Sequence, residues 1–184
     1  MAQGSTATND ERIETLRDGS QVLIRPIRSA DAAEQRAFIE RLSAQSRQLL
    51  FLGGIAHLSD TQLERLCSPD RVHNMAYVAL AHDEDGERQV GMCRYASSQP
   101  PCDEAEILVA VADAWQHKGL GTTLLGRLID HARRHGLKRL YSMDAATNHR
   151  MRRLAGHLGF SEAPDPDDVH QVIYSMQLDT PVEK

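Results

Sequence analysis

From Val109 to Val111 the chain is branched and apolar; it then passes through Ala112-Asp113-Ala114-Trp115 into Gln116-x-x-Gly119-x-Gly121 and, at once, into a long amphipathic helix pattern. A strand that ends in closely spaced glycines at the mouth of a helix is a strong constraint on the fold. The glycines let backbone N–H groups approach an anion, and the helix dipole favours negative charge at that point. The ligand this predicts is a pyrophosphate carried by a nucleotide or a coenzyme.

Two common phosphate loops are excluded. No Gly-Lys-Ser/Thr occurs anywhere in the chain, so the P-loop pattern is absent. The dinucleotide pattern fails as well: Gly119 and Gly121 are followed by Leu124, and a third glycine arrives only at Gly126, inside the helix pattern. Downstream, Leu120, Leu124, Leu125, Leu128, Ile129 and Ala132 recur at helical spacing, and Gly136 supplies a stop. Leu137 to Met143 reads as a strand, and Asn148 to Leu158 as a second helix with Met151, Leu154, Ala155 and Leu158 on one face, closed by Gly159 and Phe160.

Upstream, Gln21 to Pro26 reads as a strand, and Asp31-x-x-Glu34 is placed to cap a helix running to about Leu42. Ser43 to Leu52 continues as a second helical piece, and Ser59-x-x-Gln62 is a capping box for a third that ends near Leu66. Ala76–Ala81 and Gln89–Tyr95 form a hairpin across the turn residues 83–86, residues 97–101 a loop, Glu104–Val111 the next strand and Val169–Leu178 the last. Met1 to Asp10 is small, polar and aperiodic. A flexible leader over residues 1–20 and one domain over residues 21–180 are expected.

Composition narrows the function classes. Three scattered cysteines without Cys-x-x-Cys indicate neither a disulfide framework nor a zinc site, and fit a reducing cytoplasm. A formal net charge of −5 without a basic, aromatic-studded stripe argues against nucleic acid. No apolar run approaches membrane-span length. His131 and His135 have i, i+4 spacing but no third ligand, so a solvated polar face is expected and no metal. Cys93 and Cys102 lack an indicated histidine partner and read as core or loop thiols.

The Gln116-x-x-Gly119-x-Gly121 loop, together with Asn148, Leu154, Leu158, Gly159 and Phe160, resembles the two coenzyme A segments of GCN5-related N-acetyltransferases. Ala105-Glu106, Asp113-x-Trp115-Gln116, Asn148-x-x-Met151, Leu42-Ser43, Ser46-Arg47 and Met75–Ala79 are further similar to the bacterial protein-lysine acetyltransferase branch. The resemblance covers residues 24–178. It implies an α/β fold: a mixed, mostly antiparallel central sheet flanked by helices, with the strands at 104–111 and 139–143 parallel and splayed around the thioester. It also implies acetyl-coenzyme A as co-substrate, and direct transfer to an amine in a ternary complex.

Acetyl transfer has three needs. The backbone of Val109, Ala110 and Val111 is suited to pair with the pantetheine arm as an added strand. The pyrophosphate is assigned to Gln116, His117, Lys118, Gly119, Leu120, Gly121 and Thr122, with the Lys118 charge beside them. Asn148 matches the family position that bonds the coenzyme arm. A lysine with a pKa of about 10.4 is almost wholly protonated at pH 7, so a general base is needed. Glu106, which interrupts an apolar stretch, is the first choice; Glu104 shares its strand face and stays open as the alternative. A backbone N–H near Val111 is expected to stabilise the thioester oxyanion. Among the basic residues 133, 134, 138, 139, 150, 152 and 153, one or two are expected at the 3′-phosphate. Many family members carry a tyrosine directly after the Leu154 position to protonate the leaving thiolate; here Ala155 stands there and donates nothing. The acceptor stays open between a protein lysine and a small amine, a non-catalytic acyl-coenzyme A sensor is the competing class, and a homodimer is compatible with either.

Overall fold

The computed structural model describes residues 10–51, 58–83, 86–97 and 103–178. Its strands are β1 (Arg12–Thr15), β2 (Gln21–Pro26), β3 (Asn74–Asp83), β4 (Gly86–Ala96), β5 (Glu104–Val111), β6 (Arg139–Ala145), β7 (Ser161–Pro164) and β8 (Gln171–Gln177). Among the described residues these form one eight-stranded sheet in the order β1-β2-β3-β4-β5-β6-β8-β7. Every neighbouring pair is antiparallel except β5 and β6. A parallel pair needs a long crossover, and α4 (Leu120–Arg134) is the helix within it. The other helices are α1 (Ala32–Arg41), α2 (Ala44–Leu50), α3 (Asp60–Cys67) and α5 (His149–Leu158).

Strand alternation sorts β5 between two cores. Ala105 and Ile107 are buried with Leu120, Leu124, Leu125 and Leu128 of α4. Leu108 and Ala110 pack on the opposite face against Phe38, Ile39, Leu42 and Met92. Glu106 therefore faces the α1–α2 side, at the end of the strand where that core thins. The height of α4 over the sheet is set partly by Gly91: a Cβ there would lie 3.0 Å from Leu124 Cδ1 and 3.1 Å from Leu120 Cδ2.

The expected helices and strands are present with small shifts at their ends. The Ser59 capping box makes both of its bonds, Gln62 N–H to Ser59 Oγ at 3.2 Å and Ser59 N–H to Gln62 Oε1 at 2.8 Å. The turn residues 84–85, most of the loop at 97–101 and the tip of the second helical piece at Leu52 lie outside the described residues. Three expectations differ. Asp31 precedes α1 but makes no side-chain cap bond, because its carboxylate is held bidentately by Arg25 at 2.7 and 2.8 Å. Residues 12–15, placed by the sequence within a leader, pair with β2 from Arg12↔Ile24 to Thr15↔Gln21. His131 does not lie on a solvated face. It is 3% exposed, with Nδ1 3.0 Å from Tyr95 Oη and its ring stacked on His135 at 3.9 Å. Among the described residues no His/Cys/Asp/Glu group is arranged to hold a metal.

Burial, reinforced by repulsion from His135, pushes the His131 pKa down from 6.5 to about 4. A depressed basic pKa means that the folded state resists the proton that the unfolded chain accepts. The contribution is full above about pH 6.5 and is lost as pH falls toward about 4. Urea midpoints measured across this range should fall by an amount equivalent to about 2–3 kcal/mol from this residue, and His131→Phe should flatten that slope; an unchanged slope in the variant would assign the acid limb elsewhere.

Candidate active site

Strands β5 and β6 pair only at Glu104↔Arg139, Ala105↔Leu140 and Glu106↔Tyr141. Beyond Glu106 they part, while β5 stays zipped to β4 as far as Val111 and β6 to β8 as far as Ala145. The gap is the mouth of a cleft of about 500 Å³, lined by Glu106–Val111 on one wall, Ser142–Asp144 on the other, and the start of α4 at its outer end. The inner edge of β5 thus offers unpaired backbone groups to anything laid along it.

The outer end is built from backbone conformation. His117 and Gly119 have positive φ values of 64° and 92°, which fold the loop so that α4 begins at Leu120. Gly119 supplies no capping side chain, so the first-turn amides of a 15-residue helix stay available to an anion. A Cβ on Gly121 would lie 3.3 Å from Leu154 Cδ2, so this glycine lets α5 pack close beneath the loop.

Side chains then lock the loop to its surroundings. Asp113 accepts from Ser43 N–H, Ser43 Oγ and Ser46 Oγ, each at 2.9 Å. Burial alone would raise the Asp113 pKa, but these bonds, led by the Ser43 amide, hold it below the ordinary carboxylate range. Gln116 turns inward, donating from Nε2 to Val111 O at 3.1 Å and to Ser46 Oγ at 3.5 Å. Lys118 Nζ sits 2.9 Å from Asp18 Oδ2 and 4.7 Å above the Trp115 ring. The loop after β5 and the α2 wall are therefore one unit.

The two candidate bases are separated by their surroundings. Glu104 is ion-paired with Arg139 at 2.8 Å and does not line the cleft. Glu106 does line it, at the point where the strands divide, and has no hydrogen bond or ion pair to another described residue. Arg94, half-buried on β4, is pushed down in pKa by its burial while Glu106 opposes that shift, so the two charges lie close enough to feel one another. Asn148 is committed at both ends of its amide. Oδ1 accepts from Met151 N–H at 3.2 Å, capping α5, and Nδ2 donates to Asp144 Oδ1 at 2.9 Å. One Nδ2 hydrogen remains for a ligand. Asp144, which the sequence did not single out, lines the cleft beside it, and burial raises its pKa. Of the seven basic residues considered for the 3′-phosphate, Arg150 and Arg153 line the cleft, while Arg152 is paired with Glu162 at 2.8 Å and Lys138 with Asp103 at 2.5 Å. Ala155 is buried in α5 and carries no donor.

A mostly antiparallel sheet split between its single parallel pair, with an uncapped helix and a glycine loop at the split, is the architecture of an acyl-coenzyme A-dependent N-acyltransferase. Comparison with known proteins agrees. Residues 31–160 match the family model described as the acetyltransferase (GNAT) family. The curated acetyltransferase PA5475 of Pseudomonas aeruginosa is 46% identical over 172 residues, covering 92% of this chain and 90% of the relative. The solved GNAT domain of Streptomyces lividans PAT superimposes with a TM-score of 0.83 at 25% identity, covering 95% of this chain and all of that domain. A cAMP-binding acyltransferase from Mycobacterium smegmatis shares the fold over half its length, with a TM-score of 0.64 at 20% identity and 94% of this chain covered. The chain belongs to the GNAT acetyltransferase family.

If Asp113 holds the loop against α2, Asp113→Ala should cost about 1.5–3 kcal/mol of stability, the range for hydrogen bonds to a charged group. It should also raise the KM for acetyl-coenzyme A several-fold; denaturation midpoints and steady-state kinetics would show both, and an unchanged KM would mean that the clamp only stabilises the fold.

Proposed function

We propose that this protein transfers acetyl from acetyl-coenzyme A to the side-chain amine of a protein lysine, with residues 21–180, joined by the preceding strand β1, acting as the catalytic domain in the cytoplasm. The observation that carries the reading is Glu106: a solvent-reachable carboxylate with no side-chain hydrogen bond or ion pair to a described residue, at the apex of the split and at the end of a wall formed by Leu42, Leu49, Leu50 and Leu108. An aliphatic stem with a terminal amine fits such a groove, because its methylenes find apolar contacts while the amine reaches the carboxylate. Similarity of Leu42-Ser43 and Ser46-Arg47 to the protein-acetylating branch supports the same acceptor class.

In this reading the pantetheine arm lies along Val109, Ala110 and Val111 as an extra strand, and Asn148 gives it the remaining Nδ2 hydrogen. The pyrophosphate rests on the amides of Gln116, His117, Lys118, Gly119, Leu120, Gly121 and Thr122. Glu106, directly or through one water, takes a proton from the incoming ammonium. The free amine attacks the thioester carbonyl; a C–N bond forms, the C–S bond breaks, and the acylated nitrogen sheds its extra proton to solvent, while coenzyme A leaves as thiolate and takes a proton from solvent because Ala155 supplies no acid. Since the strands separate just after Glu106, the backbone donor to the oxyanion belongs near Ile107 and Leu108 rather than near Val111.

Coenzyme A release from acetyl-coenzyme A should be stimulated by lysine-containing proteins. Glu106→Gln should lower that rate at least about a hundredfold without weakening coenzyme binding. Stimulation by small amines alone would reassign the acceptor, and a fully active Glu106→Gln would remove the base.

A further inference from the structure

The turn between β1 and β2 reaches the coenzyme loop from outside the segments that carry the family resemblance. Leu16, 6% exposed, anchors it in the core. The turn closes on itself through Leu16 N–H to Ser20 O at 2.8 Å and Gly19 N–H to Leu16 O at 3.0 Å. Arg17 N–H then donates to Lys118 O at 3.1 Å, and Asp18 grips Lys118 Nζ at 2.9 Å. Two contacts on consecutive residues fix the turn against the loop at its most strained point, between the positive-φ residues His117 and Gly119.

The Arg17 side chain lies flat on Gly119. A Cβ on that glycine would meet Arg17 Nε at 3.3 Å, Cγ at 3.4 Å and Cδ at 3.5 Å. Glycine is favoured there by its φ of +92°, and a larger residue would also have to displace the Arg17 side chain by a few tenths of an ångström. From this position Arg17 lines the cleft together with Gly119, Gly121 and Thr122, at the uncapped first turn of α4. No carboxylate among the described residues pairs with Arg17. Lys118, the cation that the sequence places in the loop, has its charge taken up by Asp18.

We propose that Arg17 is a coenzyme-binding residue. Its guanidinium grips the pyrophosphate from the side opposite the amides of α4, and the β1–β2 hairpin is a structural part of the coenzyme site. A planar guanidinium can bond two phosphate oxygens at once while the helix start supplies backbone donors to the others. The hairpin then serves as the outer wall of the phosphate loop. This inference rests on the cleft being the coenzyme channel.

The test is calorimetric binding of coenzyme A, dephospho-coenzyme A and pantetheine to the wild-type protein, Arg17→Gln and Arg17→Lys. Arg17→Gln should weaken coenzyme A and dephospho-coenzyme A alike, by about tenfold or more, and leave pantetheine unchanged; Arg17→Lys should recover part of the loss. Melting curves identical to wild type would confirm that the hairpin stays folded. Normal binding of both nucleotides by Arg17→Gln overturns the proposal. Loss for coenzyme A alone overturns it too, because Arg17 would then read the 3′-phosphate. A wild-type protein that binds none of the three would instead remove the underlying reading of the cleft.

Discussion

The parallel ladder between β5 and β6 runs from Glu104↔Arg139 to Glu106↔Tyr141 and goes no further. Past that point each strand is held from its outer side alone, β5 by β4 and β6 by β8. Unpaired backbone groups inside a sheet are costly unless something else bonds them. In the proposed function a coenzyme arm laid between the strands satisfies them, and an open cleft lets water do so in its absence. The break also fixes where chemistry occurs. Glu106 is the last residue of β5 paired with β6, so its carboxylate stands at the apex of the split, where the proposed function places the thioester.

Holding a cleft open requires rigid walls, and these come from distant parts of the chain. Asp113 ties the loop after β5 to the start of α2 through Ser43 and Ser46. Asp18 and Arg17 tie the same loop to the β1–β2 turn. Asn148 joins α5 to Asp144 of the opposite strand. The bonds of Asp113, Arg17 and Asp18 each join a wall to the loop after β5, so movement of α2 or of the β1–β2 turn disturbs that loop, while the local Asn148 bond fixes the start of α5 to the end of β6. The glycines stand at the same contacts: at Gly91, Gly119 and Gly121 a Cβ would press on Leu124, Arg17 and Leu154 at 3.0–3.3 Å, so a larger residue would push these side chains back.

Much of this was legible in the residues. Period-2 and period-3.6 patterns located β2, β5, α4 and α5 because their apolar faces are buried, and the closely spaced glycines marked the turn from β5 into α4. The signal failed where burial is thin. β1 has Ile13 as its only apolar residue, and that side chain is 66% exposed; β7 is exposed throughout. Edge strands like these are held by backbone pairing, which leaves little trace in side-chain pattern. Asp31 and His131 misled for a different reason: their partners, Arg25 and Tyr95, are brought to them by tertiary contacts. Arg17 and Asp144 were invisible as site residues on the same ground, since only folding carries them to the cleft.

In the proposed function the unpaired inner edge of β5 and the loop that follows it hold the coenzyme. Hydrogen–deuterium exchange, measured with and without saturating coenzyme A, addresses it directly. Slower exchange confined to residues 107–111 and 116–122, with the buried strand Met75–Ala81 unchanged, is the predicted result. Saturated protein in which those two segments exchange as fast as in the free form would contradict the account.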